Sequence, residues 1–174
     1  MRPRLDFARK MAGKYLRRHR VTAAPVEVEY LLVLEGVQVE LLDFPPEVEG
    51  ESWWEGEVPH LAVNRSLPRE RLRFTLAHEL GHLALRHHQH PVRDLSFLRG
   101  AADRLPEPPG DPWERTDLLE AEANAFAGEL LLPRALFAPD WERHPQPHRL
   151  ARKYEVSVAA VYWRVQALKM REGR

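Results

Sequence analysis

Hydrophobic and polar positions follow helical spacing at the start of the chain and strand spacing after it. Apolar residues recur every three or four positions from Leu5 to Arg18 and from Val26 to Leu34, and Gly36 is a good helix stop. The pattern then alternates from Val37 to Leu42 and, more briefly, around Leu61 to Val63, which predicts two strands. A small sheet followed by a helical half indicates an α+β fold.

The next two predicted helices are the longest of the chain. The first spans residues 68 to 88 and begins after Ser66, whose hydroxyl is a potential N-cap, with Pro68 accepted in the first turn. The second runs from about Glu114 to Leu131 and stops at Pro133. The first is apolar around most of its circumference and the second carries an apolar stripe, so we expect each to be packed in the core.

Two further segments complete the predicted organisation. Residues 91 to 113 contain five prolines and little periodicity, so we predict a loop, either a mobile lid or a disordered surface insertion. Residues 147 to 170 are typical of two short helices with a turn at Val156 and Ser157 as the N-cap of the second. A chain of 174 residues suffices for one hydrophobic core. We therefore predict one domain, 1–174, with a main body over 1–146 and a C-terminal helix pair over 147–170.

Composition limits the chemistry that the protein can use. The chain has no cysteine, which excludes disulfides and thiolate metal sites and leaves His, Asp and Glu as the strong ligands. The basic N-terminus is followed by no apolar signal region, and no stretch approaches the ~20 apolar residues of a membrane span. We expect a cytoplasmic protein that does not contact a membrane.

Charge is distributed unevenly although the formal net charge is zero. Residues 1–20 carry eight Lys or Arg and one acidic residue, and residues 143–174 carry eight and two. Acidic residues are concentrated between these basic ends. The basic ends either dock on the acidic body or contact a nucleic acid or a partner bound to one.

The segment with the clearest chemistry is Arg73 to Leu85, which contains the pattern H-E-x-x-H at His78, Glu79 and His82. Histidines four residues apart share one helix face, so both rings can reach one metal ion. At about 100° per residue, these three side chains and Thr75 share an arc of roughly 100°, and the other residues from Phe74 to Leu85 are apolar. Burying this polar arc is costly without a partner, and a metal with its bound water is a suitable one.

Two histidines leave a zinc site one protein ligand short of the usual three. His88 follows His82 at the distance found in H-E-x-x-H-x-x-G-x-x-H, but Leu85 replaces the glycine that lets such a chain turn. A continuing helix would carry His88 away, so it is a weak candidate. We predict that His87 and His90 are surface residues.

The acidic residues of the 114–131 helix are the better candidates for the third ligand. Glu120 and Asn124 border its apolar stripe on one side, whereas Arg115, Glu122 and Glu129 border it on the other. The second group is typical of a solvated, charged flank. We therefore prefer Glu120 over Glu122 as the ligand and expect Asn124 to orient a ligand histidine. The apolar stripe consists of Leu119, Ala123, Phe126, Ala127 and Leu130.

Several segments together resemble the ImmA/IrrE family of metallopeptidases. They are Val63-Asn64, Arg73 to His82, Glu120 to Ala127, Leu130 to Pro133 and, more weakly, Leu150 to Leu168. The combination is specific, although no single piece of it is. The resemblance implies a small mixed sheet packed on a helical zincin-like core, with a C-terminal helix pair like a helix-turn-helix.

The same resemblance implies a gluzincin-like site. Its ligands to Zn²⁺ are then His78, His82 and Glu120, and Glu79 is the catalytic general base. It also implies a cytoplasmic regulatory endopeptidase of bacterial or phage origin, whose protein substrate is a helix-turn-helix transcriptional repressor in several members. The Pro-rich insertion between the two motif helices departs from the family pattern.

Hydrolysis by such a site needs a general base and a donor for the oxyanion. Glu79 fits the first role. Candidates for the second are Tyr154, Tyr162, His144 and His148, and the sequence does not choose among them.

Two other functions are compatible with the sequence. The 147–170 pair lies in a basic segment, which is compatible with a DNA-binding regulator, although its apolar positions favour core packing. A scaffold regulator with a non-catalytic metal site is the other alternative. The apolar positions are Leu150, Tyr154, Val158, Val161, Tyr162 and Val165.

Overall fold

Helices surround a three-stranded sheet in the computed structural model, which describes residues 2–87 and 115–170. Within these residues the chain order begins with two helices, continues with three strands and ends with five helices. The elements are α1 Leu5–Arg18, α2 Val28–Leu34, β1 Gln38–Leu42, β2 Gly50–Glu55, β3 Val58–Asn64, α3 Arg69–Ala84, α4 Arg115–Leu131, α5 Arg134–Arg143, α6 Pro147–Tyr154 and α7 Val158–Ala167.

The sheet is mixed and has the strand order β1-β3-β2. Strand β1 runs parallel to β3, with Gln38 opposite His60, and β2 runs antiparallel to β3, with Gly50 opposite Val63. A Cβ atom on Gly50 would lie 2.8 Å from Cγ2 of Thr75, so the absence of a side chain lets β2 approach α3 closely. The observed architecture confirms the predicted α+β class with a small mixed sheet.

Helices α3 and α4 form the centre of the core, and α1 packs on α4. A Cβ atom on Gly81 would lie 3.2 Å from Cβ and Cδ1 of Phe126 and 3.3 Å from Cα of Ala123. Gly81 therefore permits the close approach of α3 and α4. Phe126 is fully buried at this contact, and its ring meets Tyr15 of α1 edge to face with centroids 5.5 Å apart.

The C-terminal pair α6 and α7 has the predicted turn. Ser157 caps α7, because its hydroxyl accepts a hydrogen bond from the amide of Ala160 at 3.1 Å. Leu150, Tyr154, Val161 and Val165 are buried, as predicted, but Tyr162 is 45% exposed and does not belong to the core. Among the described residues, no helix has the length and apolar character needed to span a membrane.

Three local expectations were wrong or incomplete. Ser66 does not cap α3, because its hydroxyl donates to Oδ1 of Asn64 and Pro68 occupies the N-cap position. Helix α3 ends at Ala84 instead of residue 88, and Arg86 turns the chain with φ of +55°. Strand β2 and helix α5 were not predicted. The loop over 91–113 lies outside the described residues, and the single-domain assignment stays a prediction.

Basic residues near both ends of the chain pair with acidic residues of α4. Arg4 binds Glu122, and Arg164 of α7 binds Glu129. Both glutamates lie on α4, the helix that also carries Glu120. These two ion pairs agree with docking of the basic ends on the acidic body.

Candidate metal centre

Helix α3 places both motif histidines in the interior. His78 and His82 are 5% and 4% exposed, and Glu79 between them is 9% exposed. The Nε2 atoms of the two histidines are 3.0 Å apart, as their separation of four residues on one helix face predicts. Residues from Arg73 to Leu83 are buried apart from Phe74, so α3 is enclosed on nearly all sides.

Glu120 of α4 completes a cluster with the two histidines. Its Oε2 atom lies 3.1 Å from Nε2 of His78, and its Oε1 atom lies 3.1 Å from Nε2 of His82. One ligand atom from each residue lies within 4.8 Å of the other two, so the three side chains could hold one metal ion. Two imidazole nitrogens and one carboxylate oxygen are a donor set suited to zinc.

The carboxylate of Glu120 gives a direct test of the fit to a cation. Its Oε1 atom is buried and has no hydrogen bond of acceptable geometry among the described residues, despite its proximity to His82. A buried carboxylate oxygen without a partner is costly. A cation bound between Glu120 and the histidines would satisfy it, so the residues fit a metal.

Electrostatics in the cluster also favour a positive charge. Burial acts to lower the pKa of His78, but the carboxylates of Glu120 and Glu79 and the hydrogen bond to Asn124 together outweigh burial and raise this pKa to about 9. Burial acts to raise the pKa of Glu120, but His78 and His82 hold it well below its usual range. The site thus stabilises a cation next to an ionised carboxylate.

Asn124 fixes the orientation of His78. Its Oδ1 atom lies 2.9 Å from Nδ1 of His78, one helical turn after Glu120 on α4. With Nε2 directed at the cluster, Nδ1 of His78 carries the hydrogen and donates it to Asn124. The contact confirms the prediction that Asn124, which lies beside the apolar stripe of α4, orients one of the two motif histidines.

Ser52 of β2 forms a hydrogen bond with Glu79, the predicted base, and the sequence did not predict this contact. Its hydroxyl donates a hydrogen bond to Oε2 of Glu79 at 2.6 Å, and both residues are buried. The contact depends on β2, which was not predicted. Its only sequence signal is the Ser-Trp-Trp run, where two aromatic residues favour a strand.

The structure corrects the predicted exposure of His87, Glu122 and Glu129. His87 is 4% exposed instead of lying at the surface, and its ring lies between His82 and Glu122. Glu122 is 3% exposed instead of belonging to a solvated flank, because Arg4 covers and binds it. Glu129 was assigned to the same flank, but it forms an ion pair with the buried Arg164. His88 and His90 lie outside the described residues.

The environment of Glu122 differs from that of Glu120. Burial acts to raise the pKa of Glu122, but hydrogen bonds from Arg4 outweigh burial and lower it. Its carboxylate is thus paired with an arginine and is not part of the metal-ligand cluster. Among the oxyanion candidates, Tyr154 is fully buried and donates its hydroxyl to Oδ2 of Asp140 at 2.7 Å.

Comparisons with known proteins agree with this fold. Residues 35–166 match the Peptidase_M78 family, described as the IrrE N-terminal-like domain. A solved structure, a Mycobacterium tuberculosis transcriptional regulator, aligns with a TM-score of 0.62 and 16% sequence identity. The alignment covers 91% of this chain and 46% of that one, so this chain spans about half the length of its structural neighbour. Comparison with curated proteins gives no match.

The fold and the cluster define an α+β domain of metallopeptidase type with a potential His-His-Glu metal centre. Because the family match covers well over half of the sequence, the chain belongs to the IrrE N-terminal-like domain family. The resemblance inferred from its motifs is thereby confirmed.

Proposed function

We propose that this protein is a cytoplasmic zinc-dependent endopeptidase that hydrolyses a peptide bond in a regulatory protein substrate. The observation that carries the proposal is the meeting of His78, His82 and Glu120 within 4.8 Å, with Glu79 on the turn that bears both histidines. A buried carboxylate beside a cation site is the arrangement that general-base hydrolysis requires.

In this proposal His78, His82 and Glu120 hold Zn²⁺. Bound zinc would supply Lewis acidity for the activation of water and for the polarisation of a peptide carbonyl. Glu79 accepts a proton from the attacking water and delivers it to the leaving amine as the C–N bond breaks. The products are a carboxylic acid and an amine, so Glu79 returns to its starting state.

Ser52 prepares Glu79 for this role. The hydrogen bond from Ser52 engages Oε2 of Glu79 and restricts rotation of the carboxylate about its last bond. The other oxygen, Oε1, can then face the water. A base whose carboxylate is fixed in advance loses less entropy in the transition state than a freely rotating one.

The sheet supports a peptide as the substrate. Among residues 2–87 and 115–170, β2 lies at the end of the strand order β1-β3-β2 and pairs with β3 along one edge, so a peptide could add along the other edge. The same strand carries Ser52 in contact with Glu79. An extended peptide that adds to this edge by main-chain hydrogen bonds would run close to the base.

A helix-turn-helix repressor is the substrate class that we propose for this endopeptidase. Support comes from the family resemblance and from the structural neighbour, whose name is transcriptional regulator. The basic C-terminal pair is less suited to direct DNA binding, because four of its apolar residues, Leu150, Tyr154, Val161 and Val165, are buried in packing. A segment of the substrate that is extended or locally unfolded would fit the edge of β2 best.

The test is cleavage by zinc-loaded wild type and by Glu79→Gln. Both are incubated with a library of unstructured peptides and with candidate helix-turn-helix repressors, and new termini are identified by mass spectrometry. Cleavage by wild type that is lost in Glu79→Gln, with zinc content unchanged, is the expected result. Equal cleavage by both would refute the role of Glu79. Bound zinc without any cleavage would favour a scaffold regulator with a non-catalytic metal site.

A further inference from the structure

A buried chain of side chains leads from the candidate metal ligand His82 to Arg4. His82 contacts His87, His87 contacts Glu122, and Glu122 is held by Arg4. We propose that His87 and Glu122 are positioning residues that orient His82 towards the metal, and that Arg4 anchors them from α1. The inference rests on the metal centre of the proposed function and extends it to residues outside the motifs.

The two ring nitrogens of His82 have different surroundings. Nε2 faces the cluster, 3.1 Å from Oε1 of Glu120, and Nδ1 lies 2.9 Å from Nδ1 of His87. A histidine that ligates through Nε2 must leave that nitrogen unprotonated. The neutral ring of His82 therefore carries its hydrogen on Nδ1 and donates it to His87.

This donor fixes the tautomer of His87. Its Nδ1 atom accepts from His82, so its own hydrogen is on Nε2, which lies 3.3 Å from Oε2 of Glu122. A neutral imidazole has one donor and one acceptor. In His87 the acceptor faces His82 and the donor faces Glu122. The chain thus runs from the ligand to a carboxylate, the group that commonly supports ligand histidines in zinc sites.

Arg4 compensates the buried carboxylate at the end of the chain. Its backbone amide donates to Oε1 of Glu122 at 2.7 Å, and its guanidinium donates to Oε1 at 3.1 Å and to Oε2 at 2.8 Å. Glu122 and His87 are 3% and 4% exposed, so both depend on these partners. The start of α1 is thereby coupled to the metal centre.

The two ligand histidines are supported differently. His78 donates to the neutral amide oxygen of Asn124, whereas His82 is supported by an imidazole backed by a carboxylate. Loss of such outer partners typically reduces metal affinity by about 10- to 100-fold. We therefore expect His87 and Glu122 to contribute to zinc affinity although neither reaches the ion.

The first experiment measures zinc affinity by competition with a chromophoric chelator at one fixed pH. His87→Ala should bind zinc about 10- to 100-fold more weakly than wild type, and Glu122→Gln about tenfold more weakly. His87→Asn should recover part of the loss, because its side-chain oxygen can accept from Nδ1 of His82. The matched control is Glu129→Gln, which removes a carboxylate paired with Arg164 on the same helix and should not change zinc affinity.

The second experiment needs no variant and detects the proposed hydrogen positions. In zinc-loaded wild type, long-range ¹H–¹⁵N correlation spectra should show His82 protonated at Nδ1 and His87 protonated at Nε2. A structural role in packing alone would not require this pair of tautomers. His87 protonated at Nδ1 would overturn the proposal, even if the variants fail to fold.

Failure of the inference can be distinguished from failure of the proposed function. If wild type binds zinc and both His87→Ala and Glu122→Gln bind it equally well, the positioning role is wrong and the metal centre stands. If wild type binds no zinc, both proposals fail. If Glu129→Gln weakens zinc binding as much as Glu122→Gln does, the effect reflects general damage to α4 and also overturns the inference.

Discussion

Ser52 and Glu79 join the sheet to the motif helix through one hydrogen bond, in which the Ser52 hydroxyl donates to Oε2 of Glu79 at 2.6 Å. Strand β2 and helix α3 are brought together by the close approach at Gly50 and Thr75. The Ser52 hydroxyl is therefore a fixed hydrogen-bond donor to the predicted base, Glu79. This hydrogen bond connects β2, which the sequence did not predict, to the H-E-x-x-H motif of α3.

Replacing Ser52 tests whether this contact serves catalysis. Ser52→Ala should lower kcat by about tenfold, a part of the ~10²- to 10⁴-fold that a positioned base contributes. Zinc content should be unchanged, because Ser52 is not in the ligand cluster. The measurement is steady-state kinetics on the substrate found with wild type.

Ser66→Ala is the matched control for this substitution. The Ser66 hydroxyl donates to Asn64 and Ser66 is not one of the clustered ligand residues, so its loss should leave kcat unchanged. An unaltered kcat in Ser52→Ala would show that Glu79 needs no support from β2.

Glu120 should be essential for metal retention. Wild type should bind about one zinc ion per chain, the stoichiometry of a single catalytic site. Glu120→Ala removes one of the three protein ligands and should therefore contain less zinc. Elemental analysis of the purified proteins measures this directly. Glu142→Ala, at an exposed position of α5, is the control and should keep its zinc. Full zinc occupancy in Glu120→Ala would show that another residue is the third ligand.

The sequence predicted those parts of the molecule whose causes are local. Helix α1 was predicted with the bounds that the structure shows, because its apolar spacing and flanking signals lie within Leu5–Arg18. The ligand candidates His78 and His82 were found for the same reason, since four residues define one helix face. Glu120 was preferred from its place beside the apolar stripe of α4.

Long-range contacts explain what the sequence did not predict. Glu122 was assigned to solvent because α4 alone shows a charged flank, whereas the residue that buries it, Arg4, is 118 positions away. His87 was assigned to the surface because the helix was expected to continue to residue 88. The chain instead turns at Arg86 with φ of +55°, which brings His87 back to His82. No periodicity encodes either event.

The close contact between α3 and α4 should be sensitive to a single methyl group. Gly81→Ala places a Cβ atom 3.2 Å from Phe126 and 3.3 Å from Cα of Ala123, so the helices must shift apart. We expect a loss of about 1–3 kcal/mol in the free energy of unfolding, the usual cost of overpacking. Zinc affinity should also fall, because the two helices carry the ligands. Chemical denaturation and chelator competition measure the two effects.

Gly128→Ala on α4 is the control, and it should change stability in the opposite direction. A Cβ atom on Gly128 meets nothing within 4 Å among the described residues. Alanine is favoured over glycine inside a helix by roughly 0.5–1 kcal/mol, so this variant should be slightly more stable than wild type. Equal destabilisation by both substitutions would argue against a specific contact at Gly81.

Asp140 should make stability depend on pH in the acidic range. Burial acts to raise its pKa, but hydrogen bonds from Lys153 and Tyr154 outweigh burial and hold the pKa below its ordinary value. A carboxyl whose pKa is lower in the folded state stabilises the fold above its unfolded pKa, and this contribution is lost as the pH falls through the folded pKa. Asp140→Asn should therefore be less stable than wild type near neutral pH.

The difference between wild type and Asp140→Asn should shrink as the pH is lowered below about 4, the ordinary pKa of an aspartate. Urea denaturation at a series of pH values gives the free energy of unfolding of both proteins. Asp6→Asn is the control, because Asp6 is exposed and pairs with Arg9 at the surface of α1. A stability difference for Asp140→Asn that stays constant from neutral to acidic pH would show that the carboxylate charge does not stabilise the contact between α5 and α6.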